Sequence, residues 1–178
     1  MKTIVLCGFS GSGKDTILQE LKKEIDYNCL VSCTSRPKRE SEVQGREYYF
    51  LSDEEIRAKI SNDEMIEYRI YNSSKGEWVY GLTKDELKEK NIVVMDLRGL
   101  EAFKELYPNT VGIFIDVDTE TRKERAKNRG SFDEIEFNRR LQDDIKSFPQ
   151  ERIDKCDLVL QNINLSETVN KIKTFLGE

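Results

Sequence analysis

Nine residues, Gly8-Phe9-Ser10-Gly11-Ser12-Gly13-Lys14-Asp15-Thr16, constrain this chain more than any other stretch. Ahead of them the apolar run Ile4-Val5-Leu6-Cys7 reads as a buried strand, and behind them Ile17, Leu18, Leu21 and Ile25 recur at the period of a helix face. Glycines between strand and helix let the backbone curl without Cβ clashes. Successive N–H groups and the positive end of the helix then converge on one anion, to which Lys14 adds an ammonium. The stretch matches G-x-x-x-x-G-K through Lys14, with Asp15 where Ser or Thr ordinarily follows and the hydroxyl of Thr16 one place late. Spacing and context together disfavour the bland alternative, a glycine-rich turn.

A strand, a phosphate loop and a helix need a sheet to sit in, and 178 residues with a 37% hydrophobic share can build one core with small insertions. The net charge of −5 opposes general binding to nucleic acid or anionic membranes, so any anion must be caught locally. No apolar stretch has transmembrane length and the chain opens on a strand rather than a signal segment, so the expected setting is the cytosol. Cys7, Cys29, Cys33 and Cys156 form no C-x-x-C pair and read as reduced thiols. There is no histidine, which excludes Ser-His and Cys-His triads. Phosphoryl transfer survives that filter, because it needs alignment and positive charge more than a strong base.

Further along, Leu30-Val31 reads as a strand ending near Ser32 and opening onto Ser32–Arg39, where Arg36 and Arg39 could hold a monophosphate as planar forks; a solvated basic loop is the competing reading. Tyr48 and Phe50 share one face, and Ser52 with Glu55 forms a capping box for a helix from about Asp53 to Ile60. In Met65–Tyr71, Ile66, Tyr68 and Ile70 alternate with Glu67, Arg69 and Tyr71, which puts Glu67 on the polar face of a strand. Asn72–Gly76 reads as a turn, with Trp78–Gly81 closing a hairpin. Thr83 with Glu86 predicts a second capping box and a helix to about Lys90. Ile92–Met95 is a buried-type strand with Asp96 at its end, followed by a helix to about Tyr107 and a strand at Val111–Ile115.

Asp116 or Asp118 starts a helix over Thr119–Asn128 that stops at Arg129-Gly130, and Ser131 with Glu134 caps the next one, towards Pro149. Arg122, Arg125, Arg129, Arg139 and Arg140 fall in this hinged pair among Asp133, Glu134, Glu136, Asp143 and Asp144. They read either as a salt-bridged solvent face or as a lid closing on a nucleotide. Asp157–Leu160 is the last strand, and Val169, Ile172, Phe175 and Leu176 line one face of the terminal helix.

Joined, these pieces resemble the guanylate kinase family. Ser32-x-Thr34-Ser35-Arg36-x-x-Arg39-x-x-Glu42-x-x-Gly45-x-x-Tyr48-x-Phe50 is similar to that family's GMP-site signature. The likeness continues through Glu64–Tyr68, Tyr80-Gly81, Asp96–Gly99, Arg125-x-x-x-Arg129-Gly130, Arg139-Arg140-Leu141 and Asp157–Asn162. The resemblance implies an α/β phosphate-loop kinase with a parallel-sheet core (1–31, 83–120 and 145–178), a small β-rich monophosphate-binding insertion (32–82) and a helical lid (121–144). The implied reaction is ATP plus GMP, with Mg2+, to ADP plus GDP.

It also implies roles. Gly8, Ser10, Gly11, Ser12, Gly13, Lys14, Asp15 and Thr16 would hold ATP, with Asn162 touching adenine. Lys14, Arg125, Arg129, Arg139 and Arg140 would serve the transfer. Arg36, Arg39, Tyr48 and Tyr80 would hold the GMP phosphate, while Ser32, Glu67 and Asp96 face guanine, whose adjacent N1–H and N2–H suit a carboxylate. Three departures stand out: Leu82 where the family usually has Ser or Thr; Asp15 in place of a small residue beside the phosphates, where its charge would repel them unless Mg2+ lies between, directly or through water; and a longer hairpin at 72–77, with Val94 where many members are acidic. Leu82 is the argument for another acceptor, a different nucleotide or a sugar phosphate. A non-catalytic partner-binding module of the same family is the other rival, against which Gly13, Lys14, Arg36 and Arg39 weigh.

Overall fold

The structure, a computed structural model, describes residues 1–40, 42–73, 76–128 and 132–178. The expected stop at Arg129-Gly130, the Ser131 cap and part of the 72–76 turn lie outside the described residues. In chain order the elements are β1 (Lys2–Gly8), α1 (Lys14–Glu24), β2 (Asn28–Cys29), β3 (Cys33–Thr34), β4 (Tyr49–Phe50), α2 (Asp53–Ser61), β5 (Met65–Ser73) and β6 (Gly76–Thr83). After a 3-10 turn at Lys84–Glu86 come β7 (Lys90–Val94), α3 (Leu97–Leu106), β8 (Thr110–Asp116), α4 (Thr119–Asn128), α5 (Glu134–Ser147), α6 (Gln150–Ile153), β9 (Leu158–Gln161) and α7 (Leu165–Leu176). The chain divides into two compact units, Asn28–Asn91 with Met1, and Lys2–Tyr27 with Ile92–Glu178. Among the described residues the strands make a five-stranded sheet of order β2-β7-β1-β8-β9 and a four-stranded sheet of order β4-β3-β6-β5.

The larger sheet has the parallel pairing that its continuous apolar runs demand. β8 pairs in parallel with both β1 and β9, and Ile4, Val5, Leu6 and Cys7 beside Ile113, Phe114 and Ile115 are buried, which strands covered on both faces require. Helix α1 turns Ile17 and Leu21 inward. On α7, Val169 and Ile172 are buried with Thr168, but Phe175, expected on the same face, is exposed. Six residues at 100° each place it about 120° around the helix from Val169. No described helix is long and apolar enough to cross a membrane.

The smaller sheet rests on α2, whose capping box forms as expected, with Ser52 Oγ accepting from Glu55 N and the Glu55 carboxylate accepting from Ser52 N. Ile56 packs with Cys33, Met65 and Val79, fixing that face of the sheet as core. The other face carries Glu67 opposite Leu82 and Arg69 opposite Tyr80 on the antiparallel β5–β6 pair.

Three expected boundaries shift. Leu30-Val31 is not a strand; the short strands are Asn28–Cys29 and Cys33–Thr34, and the residues between them are where the chain leaves one sheet for the other. Thr83 caps no helix: its hydroxyl bonds the Asp85 side chain, and the Asn91 side chain ties down Lys88 N and Lys88 O, so only the 3-10 turn forms. Helix α5 is capped by Asp133, which accepts from Ile135 N (2.8 Å) and Glu136 N (3.1 Å).

Candidate active site

The glycine curl is built as the spacing requires. Gly13 has φ 94°, and a Cβ there would stand 2.5 Å from Asn162 Nδ2, so neither the backbone conformation nor the space tolerates a side chain. Lys14 begins α1, and its Nζ donates to Gly8 O and Phe9 O, each at 2.8 Å, curling the ammonium back over the loop. Burial pushes the Lys14 pKa below the ordinary lysine range, while Asp15 and Asp144 oppose that shift. Asp15 and Thr16 are exposed in the first helical turn. Ser12 is buried, and its hydroxyl has no partner among the described residues.

The remaining ATP-side residues divide sharply. Asn162, expected against adenine, is buried and committed to the loop: Nδ2 donates to Ser12 O at 2.8 Å, and Oδ1 accepts from Thr168 Oγ1 at 3.2 Å. Arg125 joins it, donating to Ser12 O (3.3 Å) and to Asn162 O (2.6 Å). Arg139 and Arg140 are exposed. Both pair with Glu136, and Arg139 also with Asp143, which pulls the Glu136 carboxyl down to about 2. Arg129 lies outside the described residues.

Arg122 and Asp144, which read in the charge pattern as part of either a salt-bridged solvent face or a lid, are buried and paired at 2.8 Å against Ser10. A cavity of about 230 Å³ opens here, lined by Ser10, Gly11, Arg122, Phe137, Arg140 and Asp144 among others.

A second polar constellation lies within the Asn28–Asn91 unit. Arg36 is buried, its Nε donating to Tyr80 Oη at 3.0 Å and its Nη atoms to both oxygens of Glu42, at 2.7 and 3.1 Å. The rings of Tyr48 and Phe50 lie against the guanidinium, and Tyr48 and Tyr71 meet Tyr80 edge-on. Glu42 was legible only as a motif letter. In the fold it also accepts from Arg39 N at 2.8 Å, and Arg39 itself is exposed. Ser32 is partly buried, its carbonyl accepting from Tyr49 N.

Glu67 is sheltered, its side chain 14% exposed beside Arg69 at 3.5 Å. Burial raises its pKa above the ordinary glutamate value, and Arg69 pulls the other way. Exposure does not follow the alternation: Ile66 is buried while Tyr68 and Ile70 are 47% and 46% exposed, and Glu67 is sheltered while Tyr71 is 49% exposed. Leu82 is fully buried opposite Glu67.

Asp96 has a structural duty in the other unit. Its Oδ1 accepts from Arg98 N (2.9 Å) and Gly99 N (3.0 Å), capping α3. Asp96→Ala should lower stability by about 1 kcal/mol while Asp96→Asn stays near parent, read from urea unfolding; equal loss in both would remove the cap from the explanation.

A parallel sheet, a glycine curl on a strand-to-helix junction and a lysine folded back over it define a phosphate-loop kinase core. Comparison with known proteins then narrows the class. The sequence profile described as guanylate kinase matches residues 1–178, so the chain belongs to the guanylate kinase family. It is similar to the guanylate kinase of Clostridium acetobutylicum, 35% identical over 181 residues that cover 97% of this chain and 83% of that one. It is also similar to the guanylate kinase of Thermotoga maritima, at 31% identity over 94% of this chain and 82% of the relative. Among solved structures, a guanylate kinase from Anaplasma phagocytophilum superposes with a TM-score of 0.71 at 26% identity, covering 98% of this chain and 84% of that one.

Proposed function

We propose that this protein transfers the terminal phosphoryl group of ATP to GMP, giving ADP and GDP. The observation that carries the reading is the Lys14 ammonium held over the glycine curl, in a chain that matches the guanylate kinase family along its whole length. The loop from Gly8 to Thr16 cradles the ATP phosphates, with backbone N–H groups as donors and Lys14 as the cation that follows charge from the γ-phosphate onto the bridging oxygen of ADP. A phosphate oxygen of GMP attacks the γ-phosphorus while the bond to the ADP oxygen breaks. Asn162 and Arg125 support this from behind by fixing Ser12 O, which gives Asn162 a positioning role rather than a contact with adenine.

GMP occupies the 32–82 segment. Arg39, Tyr48 and Tyr80 take its phosphate with the N–H that Glu42 leaves to Arg36, while Glu67, with Ser32, reads the base. The 121–144 segment acts as the lid, and Arg139 and Arg140 exchange their carboxylate partners for phosphate when it closes. The donor set fits Mg2+ held chiefly by nucleotide: no described cluster of three or more Asp, Glu, Cys or His could hold a metal, while the exposed Asp15 and Thr16 stand where one carboxylate and one hydroxyl can complete its shell, directly or through water. When bound, the ion neutralises charge on the β- and γ-phosphates.

The test is ADP release coupled to a spectroscopic readout across GMP, dGMP, IMP, AMP and ribose phosphates. GMP should give the highest kcat/KM, and chelation of Mg2+ should stop turnover. ADP release that no monophosphate stimulates would sink the reading.

A further inference from the structure

The least expected feature near the phosphate loop is a buried ion pair. Asp144, 5% exposed on α5, accepts from Ser10 N at 3.0 and 3.2 Å and from Ser10 Oγ at 3.1 Å, so a carboxylate sits on the loop itself. Arg122, 5% exposed on α4, meets that carboxylate at 2.8 Å, reaches Ser10 O at 3.4 Å, and lies over the Phe9 ring at 4.7 Å. A buried carboxylate beside a loop that must receive polyphosphate ought to repel it. Arg122 answers that charge; its Nη2 also donates to Thr119 Oγ1 at 3.2 Å, while its Nε is buried without a hydrogen-bond partner among the described residues, so the guanidinium is held without a full set of acceptors.

We propose that Arg122 and Asp144 are a charge-compensated anchor that positions the first half of the phosphate loop for ATP. Asp144 is the positioning residue, holding Ser10 through two donors. Arg122 acts through Asp144, cancelling the charge that would otherwise oppose the incoming phosphates. Because the two residues lie on α4 and α5, the anchor also ties both helices to the loop. This rests on the ATP reading of the loop, and it assigns two further residues to that site.

The experiment uses the full chain with separate KM measurements for ATP and GMP. Arg122→Met leaves the carboxylate uncompensated and should raise KM for ATP about tenfold, a change equivalent to about 1.4 kcal/mol, with KM for GMP within twofold of the parent. Adding Asp144→Asn removes the charge but keeps a carbonyl oxygen for Ser10 N. The double variant should recover most of the lost ATP affinity, although it carries one more core substitution. A pair that serves packing alone predicts the opposite, since the second change would make matters worse. A double variant no better than Arg122→Met, or equal shifts in both KM values, overturns the proposal. If Arg122→Met alone does not fold, a folded double variant with near-parent KM for ATP supports it, and one with the KM still raised overturns it. Absence of any ATP- and GMP-dependent turnover in the parent would instead count against the functional reading.

Discussion

Lys14→Met should lower kcat by about a thousandfold while the protein stays folded, because the ammonium acts on phosphates and contributes little to the core. Removing a single preorganised donor from a developing negative charge costs about 10²–10³ in rate, and here the lost group also carries a full charge at the reacting bond. Two effects on stability oppose each other. The loop loses two hydrogen bonds, to Gly8 O and Phe9 O, which are worth about 1 kcal/mol each in net terms, but it also loses a cation whose lowered pKa records the cost of its burial. Methionine keeps the stem length, so the melting temperature should move by only a few degrees. Circular dichroism and the coupled assay read the two quantities separately. A folded variant turning over at near-parental rate would mean that Lys14 does not attend the transferred group.

What the sequence disclosed, and what it hid, follows from the range of each interaction. The loop was legible because its parts are contiguous: strand, glycines, lysine and helix lie within twenty-odd residues, and each spacing has one geometric meaning. The Ser52–Glu55 cap was legible for the same reason. Its lookalike at Thr83–Glu86 failed because Asp85 and Asn91 offered the local polar groups better partners than a helix would. Arg122 and Asp144 were hidden because they are far apart in sequence and sit in a charge pattern that elsewhere describes surface pairs, as Glu136 with Arg139 and Arg140 shows. At Glu67 the period gave the two faces of the strand, but only the position of α2 against Cys33 and Val79 decides which face is core. Asn162 could be placed by resemblance; the contact of its amide with Ser12 O required the fold.

Glu67→Ala should erase most of the preference for GMP over AMP, by about tenfold to a hundredfold in the ratio of kcat/KM values. The carboxylate is nearly closed off from water, so in the parent a base that brings no paired donors leaves it desolvated and unmatched, at a cost of about 1–3 kcal/mol. Guanine supplies N1–H and N2–H together and removes that cost, whereas adenine presents no N1–H. Leu82 sharpens the expectation. It is fully buried on the strand position opposite Glu67 and brings no hydroxyl, and the Thr83 hydroxyl is already taken by Asp85, so neither residue shares the work of base selection. The pH dependence has a definite sign. Burial raises the Glu67 pKa, so acidification protonates it earlier than an exposed glutamate, replaces an acceptor oxygen with a donor, and lowers kcat/KM for GMP more than for AMP. Above that pKa the preference should be constant, and in Glu67→Ala the acid limb of the GMP-to-AMP ratio should vanish. Measuring both ratios between pH 4.5 and 8 checks the magnitude and the sign together. An unchanged ratio in the variant, or a parent that prefers AMP, would move base recognition away from Glu67.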